Sequence, residues 1–170
     1  PMNGAEALAR TLVACGIDTI FANPGTSEMH FVSALDRVEG LRCILGLAET
    51  VVTGCADGYG RVTGRPAATL MHCGPGLSNG LASLHNAKRG FTPIVNVVGD
   101  QATYHRPLDA PLTADTEGLA RTVSQWVRTT TRARARTTAA CSRCTPHASI
   151  CSAWRSTSRH ALRTAASRPT

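Results

Sequence analysis

Four short, almost wholly apolar runs, at residues 17–22, 41–45, 67–71 and 93–98, set the narrowest limit on how this chain can fold. A strand with one wet face alternates apolar and polar residues. These runs do not alternate, so both of their faces must be covered. The stretches between them carry apolar residues at helical spacing, over 3–15, 27–37, 49–61 and 77–89, with a last helix expected over 115–126. Asn3, and Thr26 or Ser27, stand where helix N-caps belong, and Gly16 stands where the first helix should stop. Gly74-Pro75-Gly76 reads as a turn leading into the helix at 77. Repeated strand–helix–strand units of this kind predict an α/β fold, a parallel sheet flanked by helices on both faces. In such folds ligands bind beyond the carboxyl ends of the strands. Residues 23–26, 47–49 and 72–79 fall there.

Charge divides the chain. The 170 residues sum to +7, but residues 1–128 hold ten Lys+Arg against eleven Asp+Glu, a net −1. Residues 129–170 hold eight Arg and no acid, a net +8. This second segment is mostly Thr, Ala, Arg, Ser, Cys and Pro, with Ile150, Trp154 and Leu162 as its large apolar side chains. Such a composition does not offset the entropy of ordering, so a disordered tail is expected. Its make-up also matches a GC-rich coding sequence read in a shifted frame from about residue 128; a genuine basic arm is the alternative. The neutral body, and Trp154 as the tail's one aromatic residue, argue against nucleic acid as partner. Cys141, Cys144, His147 and Cys151 resemble a zinc-ligand list, but their spacing is tighter than structural zinc patterns use, and no metal site is assigned. An odd cysteine count, no leader-like stretch and no apolar run near 18 residues predict a reducing, cytoplasmic setting away from membranes.

Two positions carry the chemistry. Glu49 follows the apolar run 43–47 and opens a helix with no other charge until Asp57. The helix dipole favours an acid there for structural reasons alone. Burial of the carboxyl among Leu47, Val51 and Val52 would raise its pKa and let it donate a hydrogen bond to a ligand nitrogen. His72 ends the third strand, at the ligand edge, where it serves either as a structural group or in proton transfer. The Gly74-Pro75-Gly76-x-x-Asn79 stretch is not the dinucleotide fingerprint, and no phosphate-loop lysine pattern occurs. His30, His85 and His105 lack partner patterns and read as surface or structural groups.

Residues 16–28 (GIDTIFANPGTSE), 47–67 (LAETVVTGCADGYGRVTGRPA), 71–87 (MHCGPGLSNGLASLHNA) and 94–100 (IVNVVGD) together resemble the amino-terminal, pyrimidine-binding domain of thiamine-diphosphate enzymes. That group includes acetolactate synthase large subunits and benzoylformate decarboxylase, and the likeness runs from about residue 3 to 128. The resemblance implies a thiamine diphosphate cofactor and a thiamine-diphosphate-binding fold. Glu49 would bond N1′ of the aminopyrimidine and promote loss of the thiazolium C2 proton. Asn23, Pro24 and Gly25 would line the pyrimidine and the substrate, and Pro75 and Asn79 would pack on or touch the ring. His72 would move a proton, and Thr26 would lie near a substrate carboxylate. The implied substrate is a small 2-oxo acid and the implied activity a decarboxylase or carboligase, of acetolactate synthase type. Members hold Mg²⁺ and the diphosphate with a Gly-Asp-Gly segment of a later domain; no Gly-Asp-Gly occurs in this sequence. The chain would therefore supply half a site and be inactive alone; in the complete enzyme a homodimer or a diphosphate-domain partner is expected to complete it. The alternative is a non-catalytic assembly module that pairs with a separate diphosphate-domain protein.

Overall fold

The computed structural model describes residues 2–130 and the backbone strand at 150–155. Its chain order is α1 (Gly4–Ala14), β1 (Thr19–Asn23), a 3-10 turn (Thr26–Glu28), α2 (Met29–Leu35), β2 (Arg42–Leu45), α3 (Glu49–Thr63) and β3 (Ala67–Met71). Then come α4 (Cys73–Arg89), β4 (Ile94–Asp100), a 3-10 turn (Arg106–Leu108), α5 (Thr116–Val123), β5 (Trp126–Thr130) and β6 (Ile150–Arg155). The strands form one parallel sheet in the order β2-β1-β3-β4-β6-β5.

Side chains alternate along the central strands and feed two cores. Ile20 and Ala22, Ala68 and Leu70, and Val95 and Val97 face α1 and α2, where Ala5, Ala9, Leu12, Phe31 and Ala34 pack on them. Phe21, Ala67, Met71, Ile94 and Val98 face the other way, onto Val52 and Ala56 of α3, Leu77, Leu84 and Ala87 of α4, and Ala120 and Val123 of α5. Each large side chain buried in this way contributes roughly 1.5–3 kcal/mol. Apolar residues on both sheet faces explain why the strands read as unbroken apolar runs. Within this layer, Thr69 Oγ1 donates to Asn96 Oδ1 at 2.7 Å.

Local signals set the element ends. Asn3 Oδ1 accepts from the Glu6 N–H at 2.9 Å and starts α1. Gly64 closes α3 with φ +67°, a left-handed conformation that favours glycine.

Three expectations are corrected. Gly74-Pro75-Gly76 is not a turn before the helix but its first turn, with α4 beginning at Cys73. Proline is tolerated there because first-turn N–H groups have no intrahelical acceptor. The final helix ends at Val123, and residues 126–130 form a strand. In the segment expected to be disordered, β5 runs two residues past 128, and residues 150–155 form β6 between β4 and β5. The rest of that segment, including Cys141, Cys144 and His147, lies outside the described residues.

Candidate functional site

The chain leaves β1 toward β2 on one side and returns to β3 on the other. The carboxyl ends of β1 and β3 are therefore the point where strand order reverses, the usual place for a ligand crevice in an open parallel sheet. Asn23 ends β1, Pro24 and Gly25 follow, and Thr26 opens the 3-10 turn. His72 follows β3 and caps α4.

The centre of this crevice is a contact that no sequence spacing announces. Glu28 Oε2 lies 2.7 Å from His72 Nδ1 and accepts the Gly25 N–H at 2.8 Å. The Glu28 side chain is 2% exposed, while His72 keeps 23%. Two missing side chains make room for the pair. A Cβ on Gly25 would lie 2.4 Å from the His72 ring, and a Cβ on Gly99 would lie 1.4 Å from Glu28 Oε1. Cys73, next to His72, has φ +52°, a conformation that costs a side chain roughly 1–2 kcal/mol. Its thiol donates to Ser27 Oγ at 3.4 Å and lies 4.0 Å from Glu28 Oε1. At the end of β4, Asp100 takes the Gln101 N–H and pairs with Arg106 at 2.7 Å.

The second half of the site lies on the first turn of α3 and the first two turns of α4. Glu49 opens α3. Asn79 Nδ2 donates to Glu49 Oε2 at 3.2 Å, and the Thr50 hydroxyl donates to the Asn79 carbonyl at 2.6 Å. A Cβ on Gly76 would stand 3.1 Å from Glu49 Oε1, so the absent side chain leaves the carboxylate open on that side. The expected apolar burial of Glu49 is corrected here. Val52 is buried, but Leu47 is 91% and Val51 52% exposed, and Glu49 itself is half-buried. Pro75 and Asn79 are exposed on α4. The first turn of α4 joins the two halves, since the Gly76 N–H bonds the His72 carbonyl at 2.9 Å.

Glu28, His72 and Cys73 bring three ligand-type atoms within 4.8 Å of one another. Their chemistry favours a hydrogen-bonded cluster over a metal centre. Oε2 and Nδ1 already share a proton at 2.7 Å, and burial pushes the Cys73 thiol up to about 11, away from the thiolate a metal would take. Two results follow. Cys73 should be the last of Cys43, Cys55 and Cys73 to be alkylated at pH 8, because Cys43 and Cys55 are exposed and Cys73 is buried. Early labelling of Cys73, read by peptide mass spectrometry, contradicts this. The raised value also means that the folded state holds the thiol proton more tightly than the unfolded chain. The associated stability is present below about pH 9 and is lost as pH climbs toward 11. Urea midpoints of Cys73→Ala across that range should fall less steeply than those of the unsubstituted protein.

A cleft of ≈ 660 Å³ at the opposite, amino end of β1 and β2 is lined by residues including Asp18, Glu39, Arg42 and Tyr59. The Thr19 and Tyr59 hydroxyls and Arg65 hold the Asp18 carboxyl below its ordinary range. None of the candidate residues reaches it.

Glu28 and Gly99 were missed by sequence reasoning. The partner of Glu28 lies 44 residues away, and a buried acid paired with a distant strand-end histidine leaves no spacing signature.

Comparison with known proteins returns the same region. Residues 2–125 match the family model described as the thiamine pyrophosphate enzyme, N-terminal TPP binding domain. The chain is 64% identical over 129 residues to an acetolactate synthase large-subunit homologue, IlvX of Mycobacterium tuberculosis, covering 76% of this chain and 25% of that protein. It is 42% identical over 86 residues to benzoylformate decarboxylase of Pseudomonas aeruginosa, covering 51% of this chain and 16% of the relative. Among solved structures, the thiamine diphosphate-dependent 4-hydroxybenzoylformate decarboxylase of Rhodococcus jostii RHA1 superposes with a TM-score of 0.82 at 26% identity, over 91% of this chain and 30% of that one. The chain thus spans about a quarter or less of the length of these curated relatives.

Proposed function

Because the chain belongs to the thiamine pyrophosphate enzymes, through their N-terminal TPP binding domain, we propose that it supplies the aminopyrimidine-binding half of a thiamine diphosphate site in an acetolactate synthase-like decarboxylase or carboligase acting on a small 2-oxo acid. The observation that carries this reading is the Glu49 carboxylate at the start of α3, bonded by Asn79 and left open by Gly76. A carboxyl beside a primary amide complements a ring nitrogen with a neighbouring exocyclic amine, so the residues present fit the pyrimidine. They do not fit the other end of the cofactor. The sequence has no Gly-Asp-Gly segment, and the carboxylates gathered here, Glu28 and Glu49, would repel a diphosphate.

When bound, the cofactor supplies carbanion stabilisation at its thiazolium C2. Within this chain, Glu49 holds the proton at N1′ of the pyrimidine, and Asn79 keeps its carboxylate in place. Pro75 packs on the ring, and Asn23, Pro24 and Gly25 line the passage to it. His72 moves a proton on the substrate side, and Thr26 offers its hydroxyl to the substrate carboxylate. Charge-assisted contacts to the diphosphate, and the metal, would come from a diphosphate domain, supplied across the homodimer of the complete enzyme or by a separate partner. Leu45, Leu47 and Val51 are exposed beside Glu49 and form an apolar rim that such a surface would cover. The same rim favours a second reading, an assembly module pairing with a separately encoded diphosphate domain. Among the described residues, no helix is long and apolar enough to cross a membrane. A cytoplasmic location is part of the proposal.

Amide chemical-shift mapping tests it. Thiamine and thiamine diphosphate, each titrated into the chain, should perturb Glu49, Gly76 and Asn79, with affinities within about tenfold of each other, a difference of about 1.4 kcal/mol. Contacts to the diphosphate would otherwise separate the two ligands more widely. Perturbations confined to other surfaces, or none at millimolar ligand, would remove the reading.

A further inference from the structure

We infer that Glu28 is a positioning residue that fixes the tautomer of His72, holding its proton on Nδ1 and leaving Nε2 as the working nitrogen, and that Gly99 is the space that allows it. An acid three residues after Gly25 would ordinarily be a capping side chain, and Glu28 does bond the Gly25 N–H. A capping carboxylate, however, has no need to leave water. This one is 2% exposed, and its Oε1 occupies the space that any side chain on Gly99 would fill. Burial without partners would be costly, so the partners define its state.

The Gly25 N–H can only donate, and it donates to Oε2. His72 Nδ1 approaches the same oxygen at 2.7 Å. An oxygen that already accepts the Gly25 N–H is turned toward donors, and this assigns the second proton to Nδ1. In histidine the hydrogen bond made by one ring nitrogen sets which nitrogen carries the proton. Nε2, on the opposite edge of the ring, is then left with its lone pair. Gly25 leaves the space that the ring occupies, and the 2.7 Å bond to Glu28 sets which edge of the ring faces the carboxylate.

The use made of Nε2, taking a proton on the substrate side, rests on the proposed thiamine-dependent reading. The tautomer does not, and the experiment separates the two. Long-range 1H–15N spectra of the 15N-labelled full chain, with no cofactor present, report the proton on each imidazole nitrogen. The chain has six histidines, and loss of one signal set in His72→Gln identifies the resonance. At a pH where the ring is neutral, His72 should show a protonated Nδ1 and a bare Nε2. Gly99→Ala should push the carboxylate away, and Glu28→Ala should remove it. Both should shift His72 toward the Nε2–H form that an unconstrained imidazole prefers. Glu28→Gln keeps an oxygen for both donors and should retain the Nδ1–H pattern. An Nε2–H tautomer in the unsubstituted protein overturns the inference without recourse to any variant, and so does an Nδ1–H pattern that survives both alanine substitutions. If the tautomer result holds and thiamine fails to bind at Glu49, the proposed function falls while the Glu28 assignment stands.

Discussion

Glu49→Gln, in an assembly that provides the diphosphate half of the site, should lower exchange of the cofactor's C2 proton by about 10²–10⁴-fold, the range that a positioned acid–base group contributes. The amide matches the carboxylate in size and can still meet Asn79, but it cannot hold and return a proton at N1′. The fold should barely register the change. Glu49 sits at the first position of α3, half-buried, where an acid gains about 0.3–1 kcal/mol from the helix dipole. Exchange followed by proton NMR, alongside a thermal melt, separates chemistry from stability. Exchange at the unsubstituted rate would remove Glu49 from the proton path.

Phe31→Ala should cost about 3–5 kcal/mol, the usual range for deleting a buried aromatic side chain. Phe31 is fully buried and is the largest side chain of the core between α2 and the sheet. Against a typical domain stability of about 5–15 kcal/mol, that loss removes much of the margin. Its effect should also reach the site. Phe31 lies one turn after Glu28, and it clamps the helix that carries the 23–28 loop. The urea midpoint should fall, and exchange protection of the Gly25 N–H should fall with it. A loss under about 1 kcal/mol would show that α2 is held by something other than this side chain.

The fold was legible wherever an element's own residues decide it. Four strands were predicted to within two residues of their ends. Strands β1, β3 and β4 are continuous apolar runs because both faces are buried. The expected covering of β2 is corrected, since it is an exposed edge strand. The ends of α1 followed the signals at Asn3 and Gly16, the latter with φ +79°. Failures came where a local signal had two meanings. Glycine and proline around residue 75 signal a turn, yet they also suit a helix's first turn, and the β3 exit geometry chose the second. Residues 126–130 have too little periodicity to declare a strand, and β5 exists because β6 gives it a partner.

The site divides in the same way. By itself the sequence determined the sheet class, and it singled out the carboxyl edge of the sheet and, on it, Glu49 and His72 as candidates, since each follows an apolar strand and meets a helix start. Tertiary structure alone decided what surrounds them. It brought Glu28 across 44 residues to His72, and it used the missing Cβ atoms of Gly25 and Gly99 to admit the pair. It also left Glu49 half-open beside exposed Leu47 and Val51 instead of burying it. The physical reason is range. Hydrophobic periodicity and capping act over one or two turns of chain, so they are written in neighbouring residues. The proton on a histidine is set by whichever group ends up within 3 Å of it, and only the packed sheet specifies that.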